Sequence, residues 1–361
     1  MTRTVARPIR AVFNAAALRR NHAVARQHAG PARVWSVVKA NAYGHGLERT
    51  VAALAEVADG FALIELESAV ALREAGVRQP ILMLEGFYSA EELPTFGENH
   101  LTPVLHTLDQ VGDFCAAALP ARLPAYLKVN SGMNRLGMDK VDLGRALALL
   151  SASGVADEVT LMSHFADADG PRGVEWQMER MRAICAGLDL PMSLANSAAL
   201  LRYPETARDW ARPGIMLYGS SPFPDVSAGE LGLQPVMTLE SELIAVRDLA
   251  PGDHVGYGCL FTADRPMRAG IVACGYADGY PRHAPTGTPV LVGGRRTRTL
   301  GRPAMDKITV DITDCQTAEV GTRVVLWGDG LSADEVAMAA GTVSYELFCA
   351  LAARVPIVEL E

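Results

Sequence analysis

The stretch VWSVVKANAYGHGLERTVAALAEVADGFALIE, from Val34 to Glu65, contains the repeating unit of the predicted fold. It begins with an apolar run that ends at Lys39 and closes with a second apolar run that starts at Gly60. Between the two runs, apolar residues recur at every third or fourth position, which is the spacing of an amphipathic helix. The order of strand, helix and strand predicts a β/α unit whose strands lie parallel in one sheet.

The same alternation continues over the first two thirds of the chain. Eight apolar runs begin near residues 34, 60, 81, 101, 125, 159, 191 and 209, with amphipathic stretches between them. Eight strands that alternate with helices predict an α/β fold with an N-terminal (β/α)8 TIM barrel. A doubly wound open sheet would produce a similar pattern, so the number of strands favours the barrel without deciding the question.

The pattern changes near Leu233, where the runs become rich in β-branched residues and are separated by turn signals such as Pro251-Gly252. This region predicts a C-terminal mainly-β domain that ends in helices. We therefore divide the chain into a barrel, 1–232, and a C-terminal β domain, 233–361. The arginine-rich segment Gly293–Arg302 is interpreted as a solvated hairpin with its arginines on a sheet edge, rather than as a binding patch.

Composition restricts the classes of partner. The 361 residues carry a net charge of −8, which argues against nucleic acid or an anionic membrane as the main partner. The six cysteines form no C-x-x-C pair and are expected to be reduced thiols. The N-terminus lacks a signal-peptide pattern, and no apolar run approaches the roughly 20 residues of a membrane span. We expect a cytoplasmic protein.

Polar residues recur where the predicted barrel strands end, which is the face that carries function in this fold. In chain order they are Lys39, Arg135, His164, Asn196, Ser197 and Arg212. The chain has no G-x-S-x-G motif and no carboxylate pair at metal-binding spacing, so a hydrolase is disfavoured.

These residue types suit a phosphorylated aldehyde cofactor. A lysine amine can form a Schiff base with such a cofactor. The Ser197 hydroxyl and the backbone N–H groups of Gly214 and Ile215 could bind its phosphate, as loops after the seventh and eighth barrel strands often do. An arginine or aspartate is expected at the pyridine nitrogen.

The chain resembles the bacterial alanine racemases, a family of pyridoxal-phosphate enzymes. The segments that carry the resemblance are VVKANAYGHG, KVNSGMNRLG, SHFADAD, ARPGIMLYG, GYG, CGYADGYPR, RPAMD and SYELFC, in this order along nearly the whole chain. The resemblance implies a TIM barrel followed by a β domain, pyridoxal 5'-phosphate as cofactor, alanine as substrate, and a head-to-tail homodimer with shared active sites.

The family pattern also implies a role for individual residues. Lys39 would carry the cofactor as a Schiff base and act as one acid/base, and Tyr257 would enter from the partner subunit as the other. Arg135 and the backbone of Met305 would bind the substrate carboxylate, with Tyr276 at the entrance. The implied cofactor-binding residues are Lys39, Tyr43, His164, Asn196, Ser197, Arg212, Gly214, Ile215 and Tyr345.

Several of these residues also have a purely structural interpretation. Lys39 could be an ordinary strand-end lysine, Asn196-Ser197 a helix N-cap, and Arg212 half of a buried arginine–carboxylate pair. If Arg212 faces the ring nitrogen, its guanidinium, with a pKa above about 12, will not give the ring a proton. The ring is then a weaker electron sink, which favours proton exchange at Cα over transamination.

Two positions leave details open. Lys128 matches a lysine that some relatives carry as a carbamate, but Asn130 stands where some relatives have aspartate, so an ordinary lysine–carboxylate pair is equally open. Ala304 stands where family members often have cysteine, which leaves fine specificity open.

The sequence thus predicts racemisation of L- and D-alanine by two bases, Lys39 and Tyr257. The product would supply peptidoglycan or feed alanine catabolism. A related decarboxylase is disfavoured because Arg212 stands where those relatives usually have an acidic residue. A broad-spectrum amino-acid racemase would keep the same catalytic residues. A non-catalytic barrel that only binds the cofactor would lack the β domain and its tyrosine.

Overall fold

Eight parallel strands close into a barrel in the computed structural model, which describes residues 7–360. After a first strand, β1 (Arg10–Phe13), the barrel strands are β2 (Arg33–Val37), β3 (Gly60–Leu63), β4 (Ile81–Met83), β5 (Leu101–Leu105), β6 (Leu123–Lys128), β7 (Ala156–Met162), β8 (Met192–Ser193) and β9 (Trp210–Ala211). The ring closes where β2 pairs with β9, with Arg33 opposite Trp210. The predicted TIM barrel is confirmed, and closure excludes the open sheet.

Helices surround the barrel and return the chain to the start of each strand. They are α1 (Ala15–Ala29), α2 (Lys39–Tyr43), α3 (Leu47–Leu54), α4 (Leu66–Glu74), α5 (Leu93–Glu98), α6 (Leu108–Ala116), α7 (Lys140–Ser153), α8 (Glu175–Ile184) and α9 (Ser197–Arg202). Polar side chains begin several of them; Asn14 accepts from the backbone N–H of Ala17, and Asp139 accepts from Val141 and Asp142. No helix within residues 7–360 has the length and apolar character needed to cross a membrane.

The C-terminal part is mainly β, as predicted. Its strands are β10 (Met237–Leu249), β11 (His254–Val255), β12 (Phe261–Thr262), β13 (Met267–Val272), β14 (Pro289–Val292), β15 (Arg295–Leu300), β16 (Ile308–Asp311), β17 (Arg323–Trp327) and β18 (Ile357–Glu359), with helices α10 (Ala333–Ala340) and α11 (Ser344–Cys349). The long strand β10 pairs with β17 through Leu239–Glu242 and with β13 through Leu243–Leu249. It therefore connects β13, at one end of the strand order, to β17.

The first strand of the chain lies in this C-terminal sheet. β1 pairs antiparallel with β10 and parallel with β18, although it falls in the range 1–232 that we assigned to the barrel. The division at 232 and 233 therefore stays a prediction, and its outer limits lie in residues 1–6 and 361, outside the described residues.

The arginine-rich segment forms a hairpin, as predicted, and the pairing of β15 with its second neighbour is confined to its last two residues, Thr299 and Leu300. β14 and β15 pair across Gly293-Gly294, and β15 also pairs with β16 on its other side. The sheet continues past the hairpin because β16 pairs onward with β13. Arg295, Arg296 and Arg298 are exposed, and they precede the two residues through which β15 pairs with β16.

Candidate active site

A cavity of about 610 Å³ opens where the barrel strands end. The predicted site residues that line it are Lys39, Tyr43, Arg135, His164, Asn196, Ser197, Arg212, Gly214, Ile215 and Tyr345. Most of them follow β2, β7, β8 and β9 directly, so parallel strands deliver them to one face. Tyr345 comes instead from α11 of the C-terminal domain.

Lys39 is followed by a left-handed turn. Ala40, Asn41, Ala42 and Tyr43 have φ of 53°, 52°, 54° and 53°, a conformation that costs about 1–2 kcal/mol for each residue other than glycine. Tertiary contacts hold this turn: the Ala40 N–H donates to Glu65 Oε1 at 3.2 Å. The Asn41 side chain accepts from the N–H of Leu47 at 2.8 Å. The turn directs Lys39 and Tyr43 into the same cavity.

Gly44 ends this turn against α11, and its substitution should destabilise the protein. A Cβ at Gly44 would overlap the carbonyl oxygen of Phe348, and φ is +76°. Gly76 is a matched control, with φ of +90° and nothing within 4 Å of an added Cβ. Gly76→Ala should lower the free energy of unfolding by about 1 to 2 kcal/mol from the backbone alone. Gly44→Ala should lower it by about 1 to 3 kcal/mol more, because of overpacking.

Denaturant unfolding at equal protein and cofactor concentrations measures the two effects. Equal loss of stability in both variants would mean that the close approach of Gly44 to α11 does not constrain the fold.

Arg212 is a buried cation without a carboxylate partner. It is 5% exposed, and its Nη atoms donate to the carbonyl oxygens of Ser193, Ser163 and Leu194 at 2.6, 2.5 and 3.2 Å. Within residues 7–360 no carboxylate lies within 4 Å of it, so the arginine–carboxylate interpretation finds no partner. Burial lowers the pKa of Arg212 to about 10, which leaves the guanidinium charged at neutral pH.

His164 lies beside this cation. Its Nδ1 is 3.5 Å from an Nη of Arg212. Burial first, and the charge of Arg212 second, hold the pKa of His164 well below its usual range. The imidazole is therefore neutral at physiological pH and presents a flat, uncharged ring to the cavity.

Ser197, Gly214 and Ile215 form a cradle for an anion. The Ser197 hydroxyl oxygen accepts from the N–H of Gly214 at 2.9 Å. A Cβ at Gly214 would overlap the Tyr43 hydroxyl, so only glycine lets these groups meet. Ile215 is buried, and its N–H has no acceptor among the protein groups of the described chain. Asn196 also acts as the N-cap of α9, so its structural interpretation holds as well.

Lys128 lies at the end of β6 and also lines the cavity. It is 9% exposed, and no carboxylate of the described residues lies within 4 Å of its amine. Burial, and then the charge of Arg212, lower the pKa of Lys128 to about 8. Asn130 stabilises the loop that follows β6, because its side chain accepts hydrogen bonds from the N–H groups of Gly132 and Asn134.

Three predicted site residues lie outside the cavity of this chain. Tyr257, Met305 and Tyr276 are 73%, 53% and 37% exposed on the C-terminal domain. Backbone hydrogen bonds join two of their segments, because the N–H groups of Tyr276 and Ala277 donate to the carbonyls of Ala304 and Met305.

Three ionisable residues that line the cavity were missed. They are Glu85, Asp169 and Cys349. Cys349 lies one helical turn after Tyr345, so the spacing within SYELFC could have identified it. Glu85 closely follows β4, which is the position at which strand-end residues were selected elsewhere.

Comparisons with known proteins give a consistent result. A family model for the N-terminal domain of alanine racemase matches residues 13–222, and one for the C-terminal domain matches residues 236–359. An alanine racemase of Thiobacillus denitrificans is 58% identical over 355 residues, which cover 98% of this chain and 96% of that protein.

Solved structures agree with the sequence comparison. The biosynthetic alanine racemase from Pseudomonas aeruginosa superposes with a TM-score of 0.95 at 47% identity, over 98% of this chain and 100% of that one. The alanine racemase from Bartonella henselae with covalently bound pyridoxal phosphate has a TM-score of 0.86 at 28% identity, over 98% of this chain and 99% of that one.

Proposed function

This chain belongs to the alanine racemase family, and from that premise we propose that it interconverts L- and D-alanine with pyridoxal 5'-phosphate by a two-base mechanism. The observation that carries the proposal is one cavity that combines the Lys39 amine, an anion cradle and the buried cation Arg212. We further propose a homodimer with shared sites. A cytoplasmic location stays a prediction.

The residues present fit the cofactor. Ser197, Gly214, Ile215, Tyr43 and Tyr345 would hold its phosphate, and the unpaired N–H of Ile215 supports that role. His164 and Asn196 would contact its ring, and Arg212 would face the ring nitrogen. The cofactor would rest on the Lys39 amine and, when bonded to the substrate amine in its place, would withdraw electrons from the substrate and acidify the proton on Cα, which leaves the Lys39 amine free to act as a base.

Two side chains would move the proton on opposite faces of the substrate. In the L-to-D direction, the phenolic oxygen of Tyr257 of the partner subunit would take the Cα proton, and Lys39 Nζ would deliver one to the other face. The reverse direction exchanges their roles. Tyr257 is exposed and outside the cavity of its own chain, which supports a contribution across subunits. Arg135 and the Met305 backbone would bind the carboxylate.

Arg212 would restrict the reaction to racemisation. Its pKa of about 10 keeps the guanidinium protonated, so no proton is available to the ring nitrogen near neutral pH. Proton exchange at Cα is then favoured over transamination. The crowded wall formed by Tyr345 and the partner's Tyr257 and Met305 should admit a methyl side chain better than a long one.

The test is racemisation measured from each enantiomer separately, by circular dichroism with added pyridoxal phosphate. Alanine should be converted in both directions and should be preferred over serine, leucine, lysine and arginine. Efficient conversion of the long amino acids would indicate a broad-spectrum racemase. Visible cofactor absorbance without any Cα exchange on alanine in deuterium oxide would refute alanine as substrate.

We also propose that Lys128 is carbamylated, because its neutral amine can react with carbon dioxide and no carboxylate partner is within reach in the described chain. Because the pKa of Lys128 is lowered to about 8, the fraction of the amine that is neutral increases as the pH rises through that value. Carbon NMR in isotope-labelled bicarbonate should therefore show a carbamate signal that increases across this range. Lys140→Ala should keep the signal and Lys128→Ala should lose it; a signal present in both variants would contradict the assignment.

A further inference from the structure

Asp278 is a fully buried carboxylate that two arginines hold in place. Arg7 donates to it with both Nη atoms at 2.8 and 2.9 Å, and Arg354 donates through Nε at 2.7 Å. The N–H of Gly275 donates to the same carboxylate at 2.9 Å. We call these three side chains the Asp278 cluster. It joins segments that are far apart in the chain, near residues 7, 278 and 354.

Arg354 extends the cluster to a second segment. Its Nη2 donates to Asp306 at 2.6 Å, so one planar guanidinium bridges two carboxylates. Asp306 follows Met305, and Asp278 belongs to the turn that contains Tyr276. Arg354 therefore connects directly to the segment of Met305, which we propose to reach the partner's site, and to the segment of Tyr276, which we place at the entrance.

Close backbone packing makes these two segments one unit. A Cβ at Gly275 would overlap the carbonyl oxygens of Ala304 and Met305, so glycine allows the contact. The hydrogen bonds from Tyr276 and Ala277 complete it. A change in the position of Asp306 will therefore move the Met305 backbone with it.

The structure assigns Arg354 a positioning role: we propose that it holds the Met305 and Tyr276 segment in the geometry that the partner subunit's active site requires. This rests on the proposed shared site. Arg354 itself is partly exposed and touches none of the cavity residues by hydrogen bond within the described chain. Replacing Arg354 should therefore change the KM for alanine, because the Met305 backbone would bind the alanine carboxylate.

A hybrid dimer separates the effect on the partner's site from any effect on the same subunit. One subunit carries Lys39→Ala and the other carries Tyr257→Phe, with different affinity tags. Only one site of the hybrid then has both an intact lysine and an intact tyrosine. Its lysine comes from the barrel of the Tyr257→Phe subunit, and its tyrosine comes from the β domain of the Lys39→Ala subunit. The parent homodimers contribute little background racemisation, because each lacks one of the two bases at both of its sites.

Arg354→Gln is then placed on either subunit. On the Lys39→Ala subunit, whose β domain serves the active site, it should raise the KM for alanine about tenfold, within the roughly hundredfold that a misplacement of 1 Å can cost. The cofactor absorbance and kcat should change much less. On the Tyr257→Phe subunit, Arg354→Gln should change the KM for alanine very little. Arg354→Lys keeps the charge but cannot bridge both carboxylates in one plane, so it should be intermediate.

Arg296→Gln is the matched control. Arg296 pairs with Glu335 at 2.7 Å and is similarly exposed, in the same domain. It should leave KM unchanged on either subunit.

Three results would overturn the proposal. They are an unchanged KM, an equal change on both subunits, or a change confined to the Tyr257→Phe subunit, which would indicate an effect through α11 on its own barrel. A hybrid that is inactive before Arg354 is altered would refute the shared site, and the positioning role with it. An active hybrid in which Arg354→Gln is silent would refute the positioning role alone.

Discussion

Replacing Lys39 with alanine should reduce racemisation by about 10⁵-fold, in the range seen when a covalent catalytic residue is removed. Lys39 is the lysine at the end of β2, directed into the cavity by the left-handed turn that follows it. Its loss removes the attachment point of the cofactor and one of the two bases. The fold should survive, because the turn is held by Glu65 and Asn41 rather than by the lysine.

Two measurements decide this prediction. The visible absorbance of the covalently attached cofactor should disappear, and racemisation from both enantiomers should fall together. Lys140→Ala removes an exposed lysine from α7 and should leave the cofactor absorbance and the racemisation rates unchanged. The cavity contains a second amine, Lys128, so absorbance and activity retained in Lys39→Ala would show that Lys128 is the attachment point.

Tyr257→Phe should reduce racemisation by about 10³-fold, within the usual range for the loss of a general acid or base. The substitution deletes only the hydroxyl of a residue that is 73% exposed, so folding of the subunit should be unaffected. Lys39 remains on the opposite face, and one half of the proton exchange should persist. The two enantiomers should therefore respond differently.

Exchange of the Cα proton in deuterium oxide reveals this asymmetry. The variant should still exchange the proton of D-alanine, where Lys39 acts, and should exchange that of L-alanine far more slowly. Tyr203→Phe, a hydroxyl deletion on the barrel, should retain exchange from both sides. Equal loss from both enantiomers would contradict the assignment of Tyr257 to one face.

The barrel could be predicted from the sequence because its signal is local. Each strand of a parallel barrel is buried on both faces, so it appears as a short, nearly continuous apolar run between amphipathic helices. The strand ends then identify residues such as Lys39, His164 and Arg212, because parallel strands bring their carboxyl ends to one face. The mainly-β character of the C-terminal part is likewise visible in its β-branched runs and turns.

The geometry of the site could be predicted from the sequence only in part. Of Ala40, Asn41, Ala42 and Tyr43, only Asn41 is of a type that favours the left-handed region, so the turn also depends on contacts with distant residues such as Glu65. The neutral state of His164 also depends on tertiary structure, because it results from burial beside a cation nearly 50 positions further along the chain.

The sequence by itself determined the order of the elements, the fold class and most of the polar residues that line the cavity, because each depends on periodicity or on a short motif. Only the tertiary structure decided that β1 joins the C-terminal sheet, that the end of β15 pairs with β16, and that Arg7 and Arg354 converge on Asp278. These arrangements depend on pairing between segments as much as 271 positions apart. Local patterns carry no information on such pairing, since any exposed arginine or short alternating strand has many possible partners until the chain is folded.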